Sequence, residues 1–395
     1  MQIAVLGAGL TGSLAALELA DAGHEVTLFD RCPQALSRAS LGCEGKLHMG
    51  FVYALDRTLD TGRMMIRGQL AFRPLVERWT GAALFERNLS RPFTYAVPRD
   101  SLMPVEGIRA HFAGIEQALA DLGADRDEGR WEELTPLERA AIFDPGEIVA
   151  AFRTREIGVD TAAMAQALRD ALAAAPRIAL RFGTEITGVA DEGAGFRVST
   201  LAGGHPSAER CDAVVNALWE QRLHIDATLG ITSTRPVIHR YKVGLVTRDA
   251  RVRAGLPSVT FLIGSYGDTT AFPDSAYVSW YPAGLLAQER RLRPSRFDIE
   301  PDEAQRQQIV RDTLSNLRRL MPGVADCLRD EAGWQVKGGY ISAWGETGIE
   351  DRSSELHQRH AVGVHSRGRY HSIDTGKLTL APLFAAEACA RLRAA

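Results

Sequence analysis

Cysteine is scarce in this chain, and the cysteines that are present lack any spacing that would give them a joint role. There are five among 395 residues, with no C-x-x-C pair: Cys32, Cys43, Cys211, Cys327 and Cys389. This pattern excludes a disulfide-stapled scaffold and gives no sign of a zinc site. We therefore expect reduced thiols, a cytoplasmic location and no bound metal.

Long apolar runs and an excess of positive charge are also missing. No apolar stretch approaches the ~20 residues that span a bilayer, so we expect no membrane span. The net charge is −3, whereas nucleic-acid binders favour a basic surface, so we expect no nucleic-acid partner. A strand-like pattern begins at Ile3, which predicts that there is no secretory signal. The oligomeric state stays open.

Several catalytic motifs are absent from the sequence as well. There is no second G-x-G-x-x-G for NADPH, no G-x-S-x-G nucleophile elbow and no H-E-x-x-H zinc helix. These absences disfavour pyridine-nucleotide-reduced flavoenzymes, serine hydrolases of the elbow type and zinc proteases.

The N-terminal segment has the pattern of a nucleotide-binding βαβ unit. An apolar strand leads into Gly7, Gly9 and Gly12, a leucine- and alanine-rich helix follows, and a second strand ends at Asp30. In this motif the first glycine makes the turn, the second lets backbone approach a pyrophosphate, and the third lets helix and strand pack closely. The helix N-terminus attracts the pyrophosphate, and the acid accepts hydrogen bonds from a ribose diol. The unit predicts dinucleotide binding but does not by itself separate NAD from FAD.

Other segments carry a more specific resemblance. They are the loop Ser40-Leu41-Gly42-Cys43-Glu44-Gly45-Lys46-Leu47-His48, the segment from Glu156 through the strand Thr184–Val189, the strand Cys211–Ala217 and the turn Ser372–Pro382. Together with the fingerprint they resemble the D-amino-acid oxidase and glycerol-3-phosphate dehydrogenase superfamily of FAD enzymes. Leu218-Trp219 stands where that family usually has a glycine.

The resemblance implies that FAD is the cofactor and that it lies along the fingerprint turn, the 40–48 loop and the turn before the last helix. Reduced flavin carries negative charge near N1 and O2, which a helix N-terminus or a lysine stabilises. The FAD-binding residues that the resemblance implies are Gly7, Gly9, Leu10, Thr11, Gly12, Asp30, Arg31, Ser40, Gly45, Lys46, Leu47, His48, Ile186, Asn216, Ala217, Thr375, Gly376, Lys377, Leu378 and Thr379.

Five residues are candidates for catalysis or substrate binding. His48 is the first, because relatives have a flavin-facing histidine near this loop, in some amine dehydrogenases covalently linked, and a neutral imidazole also serves as a base. Lys46 is a candidate carboxylate ligand and Tyr53 a candidate pocket residue. Lys337 and Tyr340 flank two glycines and are expected to reach the pocket. The structural alternatives are a packed histidine, a solvated lysine, a packed tyrosine and a bulge at a sheet edge.

The order of strand and helix patterns predicts an α/β chain with two domains. We expect a discontinuous Rossmann-like FAD-binding domain from 1–90, 150–235 and 340–395. We expect an α+β substrate domain built on an antiparallel sheet from 91–149 and 236–339. In relatives such a sheet binds substrate carboxylates, and the donors available here are Arg240, Tyr241, Lys242, Tyr266, Trp280 and Tyr281. The segment 357–371, rich in histidine and arginine, lacks metal spacing and is expected to be solvated or at the pocket rim.

Taken together, these features predict an FAD-dependent oxidase or dehydrogenase acting on a small molecule. The first hypothesis is oxidation of an amine or amino acid by hydride transfer to flavin N5. The second is oxidation of a 2-hydroxy acid or polyol, favoured by the Lys46-Leu47-His48 similarity to that branch. The third is a flavoprotein acting on a carrier-bound or macromolecular substrate, with the 90–150 insertion serving a partner.

Overall fold

The computed structural model describes residues 1–125 and 127–394, and regular structure extends through both ranges. The strands are β1 Gln2–Leu6, β2 Glu25–Phe29, β3 Thr94–Pro98, β4 Glu132–Glu133, β5 Ile148–Arg153, β6 Ile178–Arg181, β7 Thr184–Asp191, β8 Phe196–Ala202, β9 His205–Cys211, β10 Ala213–Asn216, β11 Val237–Thr247, β12 Val259–Phe261, β13 Gly267–Ala271, β14 Ala276–Trp280, β15 Leu285–Glu289, β16 Gln335–Trp344, β17 Gly363–Arg367 and β18 Tyr370–Asp374. The helices are α1 Leu10–Asp21, α2 Asp60–Thr80, α3 Ala83–Arg87, α4 Val105–Asp121, α5 Pro136–Ala140, α6 Thr161–Ala174, α7 Arg222–Thr228, α8 Ala250–Gly255, α9 Tyr281–Gly284, α10 Glu303–Leu320 and α11 Ala381–Ala394. None of these described helices is long and apolar enough to cross a bilayer.

The first sheet has six strands in the order β17-β18-β10-β1-β2-β6. Neighbouring strands from β18 to β6 are parallel, and β17 is antiparallel at the edge. The central strand is covered on both faces, which is typical of parallel sheets. Ile3 and Val5 pack in the cluster that contains helices α1 and α11, whereas Ala4 and Leu6 pack against the small antiparallel sheet β7-β8-β9.

The register of the parallel strands determines where a ligand can bind. Leu6 at the end of β1 lies level with Phe29 and with Asn216, the last residues of β2 and β10. The loops that follow these three strands therefore leave the sheet at one edge. In open α/β sheets, ligands bind in the crevice outside this carboxyl edge.

The second sheet has nine strands, in the order β15-β11-β14-β13-β12-β3-β5-β4 with β16 also paired to β11. Among the described strands β12 pairs with β3 in parallel, and the other pairs of this sheet are antiparallel, as predicted. One face packs on α10 through Tyr241, Val243 and Leu245. Because side chains alternate along a strand, the residues of β11 next to these three point toward the other face of the sheet.

The predicted α/β class, with a Rossmann-like part and a sheet-rich part, is confirmed. Strand β5 runs across the predicted domain boundary at residue 150, and β16 runs across the one at residue 340. The division into two domains remains a prediction. All five cysteines are unpaired thiols.

Candidate active site

An elongated cavity lies at the carboxyl edge of the six-stranded sheet. It encloses about 1360 Å³, including its open mouth. One end is lined by Asp30, Arg31 and Ile186, and the other by His48 and Lys377.

The fingerprint turn lines the cavity through Gly7 and Gly9. Gly7 has φ +94°, a conformation that favours glycine, and a Cβ on Gly12 would overlap the carbonyl oxygen of Gly7. A Cβ on Gly9 would meet only the hydroxyl of Ser40, at 3.5 Å, so this glycine leaves open space toward the cavity. Gly9, the residue before α1, has no side chain to cap the helix, and Ser40 Oγ accepts from the N–H of Leu10. The N–H groups that follow in the first turn are available to an anion, as a pyrophosphate site requires.

The Asp30 end has the donors and acceptors that a nucleotide needs. The Asp30 carboxylate accepts hydrogen bonds from the backbone N–H groups of Ala8 and Cys32, at 2.7 and 2.8 Å. Arg31 pairs with Glu220 at 3.1 Å, and its buried Nη1 has no hydrogen-bond partner in the described chain. A buried guanidinium nitrogen without a partner fits a ribose or phosphate oxygen.

Trp219 lies beside this end in a backbone conformation that glycine normally takes. Its φ is +53°. The indole Nε1–H donates to the carbonyl oxygen of Tyr340, at 2.8 Å. This bond connects the loop after β10 to the second sheet across the cavity.

Two polar contacts fix the loop from Ser40 to His48 at the flavin end. Ser40 Oγ accepts from the N–H of Leu10 at 3.0 Å, and Thr379 Oγ1 accepts from the N–H of His48 at 2.8 Å. Thr11 and Thr375 join their hydroxyls at 2.8 Å, which ties the fingerprint helix to the turn before the last helix. The loop, α1 and the C-terminal turn therefore form one rigid wall.

His48 is held without a direct partner for its ring nitrogens. Nδ1 lies 3.9 Å from Glu156 Oε1 and Nε2 lies 4.0 Å from Glu44 Oε1, and Nδ1 has no hydrogen bond to any described residue. Burial, together with Lys377 and Lys46, lowers the pKa of His48 well below its usual value. The imidazole is therefore neutral and able to accept a proton.

Lys46 spans the cavity wall to reach the second sheet. Its ammonium donates to Asp268 at 2.9 Å and to Thr260, and lies 4.3 Å from the centre of the Phe93 ring. Burial opposes the charged form, but Asp268, Glu44 and Glu156 together outweigh it and raise the pKa of Lys46. Lys46 is thus a paired cation that joins the flavin loop to the sheet.

Glu156 is a buried acid directly behind His48. It accepts from the N–H of Met49 at 2.5 Å and from the hydroxyl of Tyr95. Burial raises its pKa to about 7, against the opposing effect of Lys46. A carboxyl group near His48 therefore changes its charge close to neutral pH.

Replacing Glu156 by glutamine is expected to change how stability depends on pH. The pKa of Glu156 is raised from 4.5 to about 7, so the wild-type loses stability relative to Glu156→Gln as pH rises through this interval. The expected change is roughly 3 kcal/mol, complete above about pH 7. Denaturant unfolding of both proteins between about pH 5 and about pH 8 measures it. Glu116→Gln, on the exposed face of α4, controls for losing one carboxylate. A constant difference would show that Glu156 stays ionised.

The face of the nine-stranded sheet that meets the loop from Ser40 to His48 is polar. Strand register places Arg240 level with Ile341, which lines the cavity, and Thr260 level with Asp268, which binds Lys46. Arg240 Nη1 donates to the hydroxyl of Tyr281 at 2.8 Å, and its buried Nε has no partner in the described residues. Buried donors of this kind are the recognition groups expected for a carboxylate.

Most of the predicted cofactor residues line the cavity. They are Gly7, Gly9, Leu10, Thr11, Asp30, Arg31, Ser40, Lys46, His48, Ile186, Ala217, Thr375, Gly376, Lys377 and Leu378. Five others pack immediately behind this wall: Gly12, Gly45, Leu47, Asn216 and Thr379.

The remaining predicted residues are placed differently from one another. Tyr340 lines the cavity, but its hydroxyl donates to the carbonyl oxygen of Arg296, at 2.6 Å. Tyr53 is buried beside His48, with ring centroids 5.7 Å apart and no hydrogen bond for its hydroxyl among the described residues. Lys337 does not line the cavity. The glycines next to it let β16 approach the backbone of the 39–42 loop.

Sequence reasoning missed several residues of the site. Asp268, Thr260 and Tyr95 carry no motif, and the position of Glu156 behind His48 was not predicted. The side chains of 357–371 were expected to be solvated or at the pocket rim, and burial of His357, Arg359 and His371 excludes the solvated alternative for these three. Alternating polarity along β11 was the one available signal for Arg240.

The family model described as FAD dependent oxidoreductase, DAO, matches residues 2–389. The chain therefore belongs to this family, and it is an FAD-dependent oxidoreductase. The cavity fits that cofactor, with a pyrophosphate site at α1 and Lys377 at the opposite end. When bound, FAD supplies the two-electron acceptor.

Curated relatives match only parts of the chain. D-amino acid dehydrogenase of Cereibacter sphaeroides is 49% identical over 51 residues, which are 13% of this chain and 12% of that protein. D-amino acid dehydrogenase 1 of Mesorhizobium japonicum is 30% identical over 137 residues, 33% of this chain and 32% of that protein. The chain thus aligns with less than a third of the length of these relatives.

Solved structures share the fold over nearly the whole chain. Glycine oxidase from Geobacillus kaustophilus has a TM-score of 0.68 at 17% identity, covering 98% of this chain and 94% of that one. L-alpha-glycerophosphate oxidase from Mycoplasma pneumoniae, with FAD bound, has a TM-score of 0.66 at 14% identity, covering 99% and 94%. At these identities the likeness establishes a common architecture.

Proposed function

We propose that the protein oxidises a small amino acid or related amine at a CH–NH group, using FAD as hydride acceptor. The observation that carries this proposal is Arg240, a buried guanidinium with Tyr281 as its one hydrogen-bond partner among the described residues. Arg240 lies level with Ile341, which lines the cavity. A substrate carboxylate would satisfy this group with charge-assisted hydrogen bonds. The partial matches to D-amino acid dehydrogenases support the same substrate class.

The residues of the site have separate roles in substrate binding and proton transfer. Arg240 and Tyr281 hold the carboxylate and so orient the carbon that is oxidised. His48, with an unpartnered Nδ1 in the described structure, would accept the proton lost from the substrate nitrogen. Bound FAD would supply the hydride acceptor, and water would hydrolyse the imine product to a carbonyl compound and ammonia or a smaller amine.

Oxidation of a 2-hydroxy acid or polyol is the second candidate. The same neutral His48 can accept a proton from a hydroxyl group, and Arg240 suits the carboxylate of a hydroxy acid equally well. The third hypothesis, a macromolecular substrate, finds less support. The 91–149 segment supplies β3, β4 and the first two residues of β5 to the nine-stranded sheet and packs α4 in a buried cluster.

Anaerobic reduction of the bound flavin tests the proposal. Amino acids of both configurations, N-methyl amino acids, 2-hydroxy acids and polyols are mixed in turn with the purified holoenzyme, and loss of the oxidised flavin spectrum is followed. We expect an amino acid to bleach the flavin, with ammonia or a smaller amine released in equal amount. Bleaching by hydroxy acids without amine release would establish the second candidate. Reduction by dithionite but by no small molecule would favour the third.

A further inference from the structure

Several cations around Lys377, which lines the cavity, have no carboxylate partner among the described residues. Lys46 is paired with Asp268. By contrast Arg240, Lys242, Arg359 and Lys377 have no carboxylate within 4.0 Å in residues 1–125 and 127–394. Lys377 lies at the turn where the flavin is expected, which leaves three cations for other groups.

Three of these cations follow the polar face of the sheet in a row. Arg359 donates Nη1 to the carbonyl oxygen of Ser342, at 3.4 Å, and Ser342 is adjacent to Ile341, which lies level with Arg240. Lys242 follows two residues later on β11, about 7 Å along the strand, with its ammonium 5.4 Å from the Tyr281 ring centre. Arg240 thus has one further cation on each side, Arg359 and Lys242.

Arg359 is buried without a counter-charge among the described residues. It is only 6% exposed, and its described protein partners are carbonyl oxygens, of Leu356 and Ser342. Lys242 is less deeply buried. Burying a guanidinium without a counter-charge is costly, so such a residue is best explained by an anion that arrives with the substrate.

Neighbouring acids do not supply that anion. Asp374 is already bound by Arg222 at 3.2 Å and by the indole of Trp344 at 2.7 Å. Glu44 has its nearest ion-pair partner in His48, at 4.0 Å. Burial and the nearby Arg240 lower the pKa of Arg359 to about 10, which still leaves it charged at neutral pH.

We propose that the substrate is an amino acid with a second acidic group, so that Arg240 binds one carboxylate and Arg359 binds the other. This inference rests on the proposed function and specifies its substrate class as amino dicarboxylates. The two guanidiniums select against neutral side chains, because a monoacid would leave one of them buried and unpaired.

Calorimetric titration of the holoenzyme with compounds that cannot be oxidised tests this inference without turnover. Each α,ω-diacid from malonate to adipate is compared with its own monoamide, which has nearly the same shape but one charge fewer. We expect one diacid to bind at least ~10-fold tighter than its monoamide. Arg359→Gln should abolish the preference, Arg359→Lys should retain part of it, and Lys242→Gln should leave it in place.

The outcomes separate this inference from the function it rests on. Equal affinities for diacid and monoamide at every length overturn the inference, as does an unchanged preference in Arg359→Gln. Loss of the preference in Lys242→Gln alone would overturn the assignment to Arg359. If diacids bind preferentially while no amine bleaches the flavin, the second anion site stands and the proposed amine oxidation fails. If neutral amino acids bleach the flavin as fast as acidic ones, the proposed amine oxidation stands and the inference of a second anion site fails.

Discussion

Replacing Gly9 by valine is expected to yield a folded protein that no longer binds FAD. Gly9 has ordinary extended backbone angles, φ −70° and ψ −174°, and a Cβ there would meet only Ser40 Oγ, at 3.5 Å. The apoprotein therefore has room for the side chain. The pyrophosphate needs the same space, so we expect FAD affinity to fall at least ~100-fold. Absorbance of bound flavin and far-UV circular dichroism measure the two effects separately.

Gly12→Ala is the matched comparison for this prediction. The added methyl would overlap the carbonyl oxygen of Gly7, a backbone atom that cannot move without opening the turn. We expect a loss of about 3 kcal/mol or more in the free energy of unfolding, in contrast to the folded Gly9 variant. A Gly9→Val protein that still carries stoichiometric FAD would show that the cofactor does not approach this turn.

Replacing Arg240 by glutamine is expected to lower kcat/KM for the best amino-acid substrate at least ~100-fold, equivalent to about 2.7 kcal/mol. Glutamine removes the charge and the paired donors that hold a carboxylate. FAD content and the flavin spectrum should be unchanged, because Arg240 projects from the sheet and contributes nothing to the α1 turn. Steady-state kinetics of the purified variant provide the measurement.

Two further variants make the Arg240 result specific. Arg240→Lys keeps the charge and should recover part of the activity, and Tyr281→Phe removes one hydroxyl and should cost less than ~10-fold. If Arg240→Gln retains wild-type kcat/KM, the carboxylate binds elsewhere, and Lys242 becomes the next residue to replace.

The fingerprint turn and strand β11 differ in how much of their structure the sequence predicts. Each requirement of the βαβ unit acts over a few residues: Gly7 turns the chain, Gly12 packs on that turn, and Asp30 ends the next strand. Such local requirements fix residue type at fixed spacing. The sequence likewise placed Arg240 and Lys242 on the predicted antiparallel sheet as possible donors, without deciding which of them meets a substrate.

The site around the flavin depends on pairings that no local pattern contains. Lys46 and Asp268 are 222 positions apart, and Lys46 reaches the sheet only because β12 and β13 pair beside β3. Glu156 lies behind His48 because its segment pairs with the loop at Lys46.

The sequence by itself therefore determined the nucleotide-binding turn, the α/β class and the strands that alternate in polarity, since these follow from short-range sterics and periodicity. Only the tertiary structure decided which charges meet. It paired Lys46 with Asp268, left Arg240 and Arg359 without a carboxylate in the described chain, and placed Glu156 out of water. The physical reason is that burial and ion pairing depend on every segment that packs around a residue, and these segments come from distant parts of the chain.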